Sequence, residues 1–117
     1  MTKAEVARLL AVAAAFDQRT TGEEDDVAWL AAVGDLSFTD ARTAVIAHYR
    51  ESRERIMPAD IRERVETARA RRIADAPPVQ IPPELADDPV AANEWKRAQY
   101  AAIADGRPAP KAIGSMS

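Results

Sequence analysis

The sequence predicts an all-α protein, and three observations carry that prediction. Of its 117 residues 47% are hydrophobic but only 5% are aromatic, and alanine supplies much of the hydrophobic content. Alanine has the highest helix propensity, whereas strands draw on β-branched and aromatic side chains. Apolar residues also recur at helical rather than alternating spacing. Finally, the runs open on capping residues or proline and are separated by glycine, proline or polar turns. The architecture expected is a compact four-helix domain over residues 1–73, a Pro-rich linker over 74–87, a partner-binding helix over 88–105 and a disordered tail over 106–117.

Thr2 and Glu5 fit a capping box, and Val6, Leu9, Leu10, Ala13 and Phe16 follow on one helical face, so the first helix runs to about Asp17. Thr21 with Glu24 reads as a second box, and the cluster Glu23 to Asp26 suits the positive end of a helix dipole. Val27, Leu30 and Val33 make the apolar stripe of that helix, and Gly34 is placed to end it in the left-handed conformation. Thr39 is the expected N-cap of a central helix carrying Ala41, Ala44, Val45, His48 and Tyr49. Pro58 then breaks the chain and restarts it, because a residue before proline avoids the α conformation while proline suits the first helical position. Ile61, Val65 and Ala68 turn the fourth helix inward and leave arginines on its other faces. The stretch Pro77 to Pro83 predicts an extended spacer. Asp88-Pro89 signals a last helix, with Val90, Trp95, Ala98, Ala102 and Ile103 available for a face and Gly106 for the stop. The small, polar, proline-containing tail predicts disorder.

Composition removes several classes of function. Without cysteine there is no disulfide or thiolate metal site, and a single histidine makes a metal centre improbable, so no metal or cofactor is expected. No apolar run approaches the ~18 residues that span a bilayer, and the first residues lack a signal-peptide core, which predicts a cytoplasmic protein with no membrane association. No GxxxxGK[ST] loop is present, His48 has no evident acid–base partner, and the Glu23 to Asp26 cluster lacks the alternating ligands and turn glycine of a calcium loop. No enzymatic activity is expected.

The net charge of −3 is unevenly distributed: residues 1–49 carry four basic against eight acidic side chains, whereas residues 50–72 carry eight arginines against five acidic ones. Arg62, Arg64, Arg69, Arg71 and Arg72 are therefore candidates for contact with nucleic acid or an acidic surface, since guanidinium binds phosphates and carboxylates bidentately. Glu63 and Glu66 allow local pairs at helical spacing, and any DNA contact would be weak and salt-dependent. Trp95, Tyr100 and Ile103 form a second candidate surface, because a tethered helix with large apolar side chains can dock in a partner's groove or fold back on the body.

Leu30, Gly34-Asp35-Leu36, the Ala44-Val45 pair, His48-Tyr49 and Met57-Pro58-Ala59-Asp60-Ile61 together resemble the ATPase-free helicase loaders of bacteriophages and prophages. The resemblance covers about the first 70 residues. It implies a helical N-terminal domain joined to a flexible C-terminal segment, and a role in DNA replication. It also implies binding to the hexameric replicative helicase, whose loading at an origin the protein assists or restrains. Further partners implied are an origin-binding initiator or a single-strand binding protein. Within that reading Trp95, Arg97, Tyr100 and Ile103 are the candidate helicase contacts. The rival readings are a DNA-binding module using the arginine-rich fourth helix and an adaptor or inhibitor of another host protein.

Overall fold

The structure, a computed structural model, describes residues 1–108, and the regular secondary structure of the described residues is helical throughout. α1 (Lys3–Asp17) opens on the expected reciprocal cap: the Thr2 hydroxyl accepts from the Glu5 amide at 3.1 Å, and the Glu5 carboxylate accepts from the Thr2 amide at 2.9 Å. The helix closes at Gln18, whose backbone turns left-handed with φ of 62° while its amide still donates to the Ala14 carbonyl.

α2 (Glu23–Val33) starts one residue later than the Thr21 box predicts, because Gly22 takes the extended cap position and its amide donates to the Asp25 carboxylate at 2.8 Å. Its inward stripe is also rotated. Trp29 and Val33 are buried, Leu30 is half-buried and Val27 is 54% exposed, so the indole, with the largest apolar area to remove from water, sets the face. Gly34 keeps right-handed angles, with φ of −61°, and is not a left-handed terminator. Glycine fits there because a Cβ would be driven into the Leu30 carbonyl oxygen, which accepts the Gly34 amide at 2.9 Å.

α3 (Phe38–Glu51) is capped by Ser37, not Thr39: the Ser37 hydroxyl accepts from the Asp40 amide at 3.1 Å. This leaves Phe38 as the first helical residue, with the Arg8 guanidinium 4.8 Å from its ring centroid. α4 (Pro58–Asp75) restarts as predicted, with Pro58 at its first position and the Met57 amide donating to the Asp60 carboxylate at 2.8 Å.

The chain divides into two compact units, Met1–Glu66 and Thr67–Ser117, and the division falls within α4. The first turns of α4 bury Ile61 and Val65, and after Val65 no α4 residue is buried. In the first unit α1 packs against both α2 and α3 around Val6, Leu9, Leu10, Val33, Val45, Ile56 and Ile61, with Ala13, Ala41 and Ala44 also buried there. Small alanine side chains at such positions let helix backbones approach closely.

The second unit comprises the later turns of α4, an irregular Pro-rich stretch, a 3₁₀ turn at Pro83–Leu85 and α5 (Pro89–Asp105). The turn buries Leu85 and packs on α5. α5 begins and ends as its sequence signals: the Asp88 carboxylate accepts from the Ala91 amide at 3.1 Å, and Gly106 closes it left-handed with φ of 71°. Of the tail expected to be disordered, residues 109–117 lie outside the described residues.

Candidate functional site

Three groups of residues bear on function, and the first turns out to be architectural. At the end of α1 the Asp17 carboxylate holds Arg19 through contacts of 3.0, 2.9 and 2.5 Å and accepts the Tyr49 hydroxyl at 2.5 Å. The Tyr49 oxygen in turn accepts the Ile56 amide at 2.9 Å, and Arg19 donates to the Ile56 carbonyl at 2.8 Å. Both charged side chains are enclosed, Arg19 at 5% and Asp17 at 8% exposure. Arg19 holds the Asp17 carboxyl down to about 2, against the cost of burial, with help from Tyr49. The pair closes a ring that ties α1 and α3 to the segment leading into α4.

His48 completes this frame. It is 7% exposed, sits edge-on to the Tyr49 ring at 4.8 Å, and its Nε2 lies 2.6 Å from the Glu54 carbonyl. A carbonyl can only accept, so Nε2 carries the proton. Phe16 stacks on the other aromatic, Tyr49, at 5.1 Å while remaining 49% exposed. His48 and Tyr49 thus clamp the segment that Met57-Pro58-Ala59-Asp60 turns into α4. Asp17 and Arg19 are the part that sequence reading missed. They are two residues apart at a helix end, a spacing that no helical pairing rule singles out.

The arginines of α4 are mostly engaged, and with distant rather than local carboxylates. Arg62 grips Asp35 bidentately at 2.7 and 2.9 Å and also donates to the Ala32 carbonyl at 3.0 Å. This contact lowers the Asp35 carboxyl and raises the Arg62 guanidinium. Arg64 pairs with Glu51 at 3.0 Å, Arg69 pairs with Asp105, and Arg72 donates to the Ala104 carbonyl at 2.7 Å. Arg69 and Arg107 together pull the Asp105 carboxyl down. Arg71 is exposed and has no ion pair among the described residues. The five arginines therefore do not form one open stripe, since guanidinium groups reach across the fold to Asp35, Glu51 and Asp105 in preference to Glu63 and Glu66.

On α5 the four candidate contacts separate. Trp95 and Ile103 are half-buried on the side of Ala92, Gln99 and Ala102, whereas Arg97 and Val90, the latter 68% exposed, lie on the opposite side and Tyr100, 38% exposed, lies at the border between the two. At about 100° per residue, positions 95, 92, 99 and 103 fall within one ~80° sector, Arg97 and Val90 lie on the far side, and Tyr100 sits between, about 60° from both Ile103 and Arg97. The Trp95 indole N–H is enclosed and has no hydrogen-bond partner among the described residues.

Chemically, the Asp17 carboxylate is saturated by donors and offers no lone pair to a substrate. Among the described residues no group of three or more His, Cys, Asp or Glu could hold a metal ion, and no helix is long and apolar enough to cross a membrane. Fold and surfaces define a small all-α protein with a cross-braced helical unit and a capped C-terminal helix. Comparison of the chain with protein-family models, curated proteins and solved structures gives no match in any of the three.

Proposed function

We propose that the chain is a non-enzymatic replication accessory protein that binds a hexameric replicative helicase and assists or restrains its loading at an origin, using the outward face of α5. The choice of helicase rests on the resemblance carried by residues 30–61. The choice of surface rests on one observation: Val90 and Arg97 face outward, and Tyr100 is open at their border, on a helix that also buries Ala92, Gln99 and Ala102. A helix apolar on two faces has one to spend on its own unit and one for a partner, and an exposed tyrosine beside an arginine is the composition that interface centres favour. Trp95 and Ile103 belong to the inner face in this reading. The fourth-helix DNA reading is weaker, because Arg62, Arg64 and Arg69 are held by carboxylates and Arg72 by a carbonyl.

The test is size-exclusion chromatography with light scattering on the full chain mixed with the hexameric helicase of its own replication system, with and without nucleotide. Wild type should co-elute, and Arg97→Glu with Tyr100→Ala should abolish co-elution while leaving helix content and thermal unfolding unchanged. Absence of a wild-type complex under both nucleotide conditions removes the helicase reading.

A further inference from the structure

The eight arginines of residues 50–72 include three that lie before α4, and these have the most open environment. Arg50, Arg53 and Arg55 are exposed, and none has a carboxylate partner among the described residues. Glu51, which follows Arg50 in the sequence, is taken by Arg64 at 3.0 Å, so a fourth guanidinium lies against this segment.

The segment that carries them is held from beneath. The Glu54 carbonyl faces His48 Nε2 at 2.6 Å, the Glu54 amide donates to the Ser52 hydroxyl at 3.0 Å, and Ile56 is fixed at both its amide and its carbonyl by Tyr49 and Arg19. The Glu54 carbonyl and both backbone groups of Ile56 are thus directed inward, and the guanidinium groups of Arg50, Arg53 and Arg55 are exposed. Cations presented on a backbone that is already ordered lose less entropy on meeting a polyanion than cations on a loose loop.

We infer that the α3–α4 segment is a contact for the phosphate backbone of duplex nucleic acid. Guanidinium groups suit phosphate because their forked donors match its oxygens. The local balance of four arginines against Glu51 and Glu54 gives the site a positive sign on a chain of net charge −3, so the attraction is confined to this patch. Between Arg50 and Met57 there is no aromatic side chain on which an unpaired base could stack, which favours backbone contact with a duplex over capture of a single strand. This surface shares no residue with the outward face of α5, and the inference does not depend on the helicase reading.

The test is fluorescence anisotropy of a labelled duplex, and of one of its strands alone, titrated with the full chain at several salt concentrations. Three phosphate contacts give a log–log slope of about −2.7, so duplex affinity should fall about 40-fold between ~50 and ~200 mM salt. Arg53→Gln with Arg55→Gln should flatten that slope to about −1, and adding Arg50→Gln should bring it near zero, with the circular dichroism of the wild type retained. Glu54→Gln should tighten binding, and Arg97→Gln should leave it unchanged. Failure to bind duplex at ~50 mM salt, or an unaltered slope in the triple variant, overturns the proposal. Tighter binding of the single strand, or displacement of duplex by an equal charge of polyglutamate, overturns the choice of duplex as the partner.

Discussion

Replacing Asp17 by asparagine is the sharpest probe of how the first unit is held together. The substitution keeps the shape of the side chain and an acceptor for Arg19 but removes the charge opposite a guanidinium that is only 5% exposed. Asp17 is 8% exposed, and its carboxyl is drawn from its ordinary 3.8 to about 2, chiefly by Arg19. At about 1.4 kcal/mol per unit, the ionised form stabilises the fold by about 2 kcal/mol relative to the protonated form. A folded-state value below the unfolded one means that this contribution is complete above the unfolded value and disappears as pH falls through the folded one. It is therefore full at neutral pH, reduced by about 1 kcal/mol near pH 3 and absent below both values.

Urea unfolding followed by circular dichroism, on wild type and Asp17→Asn in parallel from pH 7 to pH 3, measures the difference directly. The variant should be about 2 to 4 kcal/mol less stable at pH 7, the range reflecting the buried cation left without its partner, and the gap should narrow by about 1 kcal/mol at pH 3. Subtracting the two curves removes the contributions of Asp35 and Asp105, whose carboxyls are lowered by Arg62 and by Arg69 in both proteins. Tyr49→Phe offers an independent arm. It strands the Ile56 amide and takes one donor from Asp17, and should cost about 1 to 3 kcal/mol. A difference between wild type and Asp17→Asn that stays constant across this pH range would refute the reasoning, since Asp17 would then not be titrating in the folded state differently from the unfolded chain.

Two further outcomes follow from the packing. Gly34→Ala should destabilise the first unit by about 1 to 3 kcal/mol, because the added methyl meets the Leu30 carbonyl, and thermal denaturation showing a neutral or stabilising effect would contradict that geometry. Trp95→Phe should change stability by less than about 1 kcal/mol, since it removes an enclosed N–H that has no partner as well as some packing, whereas Trp95→Ala should cost more; equal losses in chemical denaturation would mean that the indole N–H is satisfied.

The helical class and the sites of most chain breaks were readable from one dimension because they depend on local chemistry. Thr2 with Glu5, the Pro58 restart, Asp88-Pro89 and Gly106 satisfy or interrupt backbone hydrogen bonds within a few residues of themselves, and the structure places helix ends at each. Where residues close in sequence could each cap, the expected start was off by one or two positions. Gly22 displaces Thr21 and Ser37 displaces Thr39, since which residue caps is settled by where the helix must point.

The rotation of each helix and the fate of each charge were decided in three dimensions. Trp29 rather than Val27 faces inward because the helix turns to bury the larger surface. Arg62, Arg64 and Arg69 look open in the sequence, yet they find Asp35, Glu51 and Asp105, 27, 13 and 36 residues away, because a long flexible guanidinium pairs with whatever carboxylate the fold brings within reach. For the same reason Arg50, Arg53 and Arg55 stay open, and Asp17, unremarkable at a helix end, becomes the anchor of the α3–α4 segment once Arg19 and Tyr49 close around it. The sequence by itself determined which segments are helical, because local hydrogen bonding and propensity are written in adjacent residues. Tertiary structure alone decided which faces and charges remain available to a partner, because burial and ion pairing are properties of residues far apart in the chain.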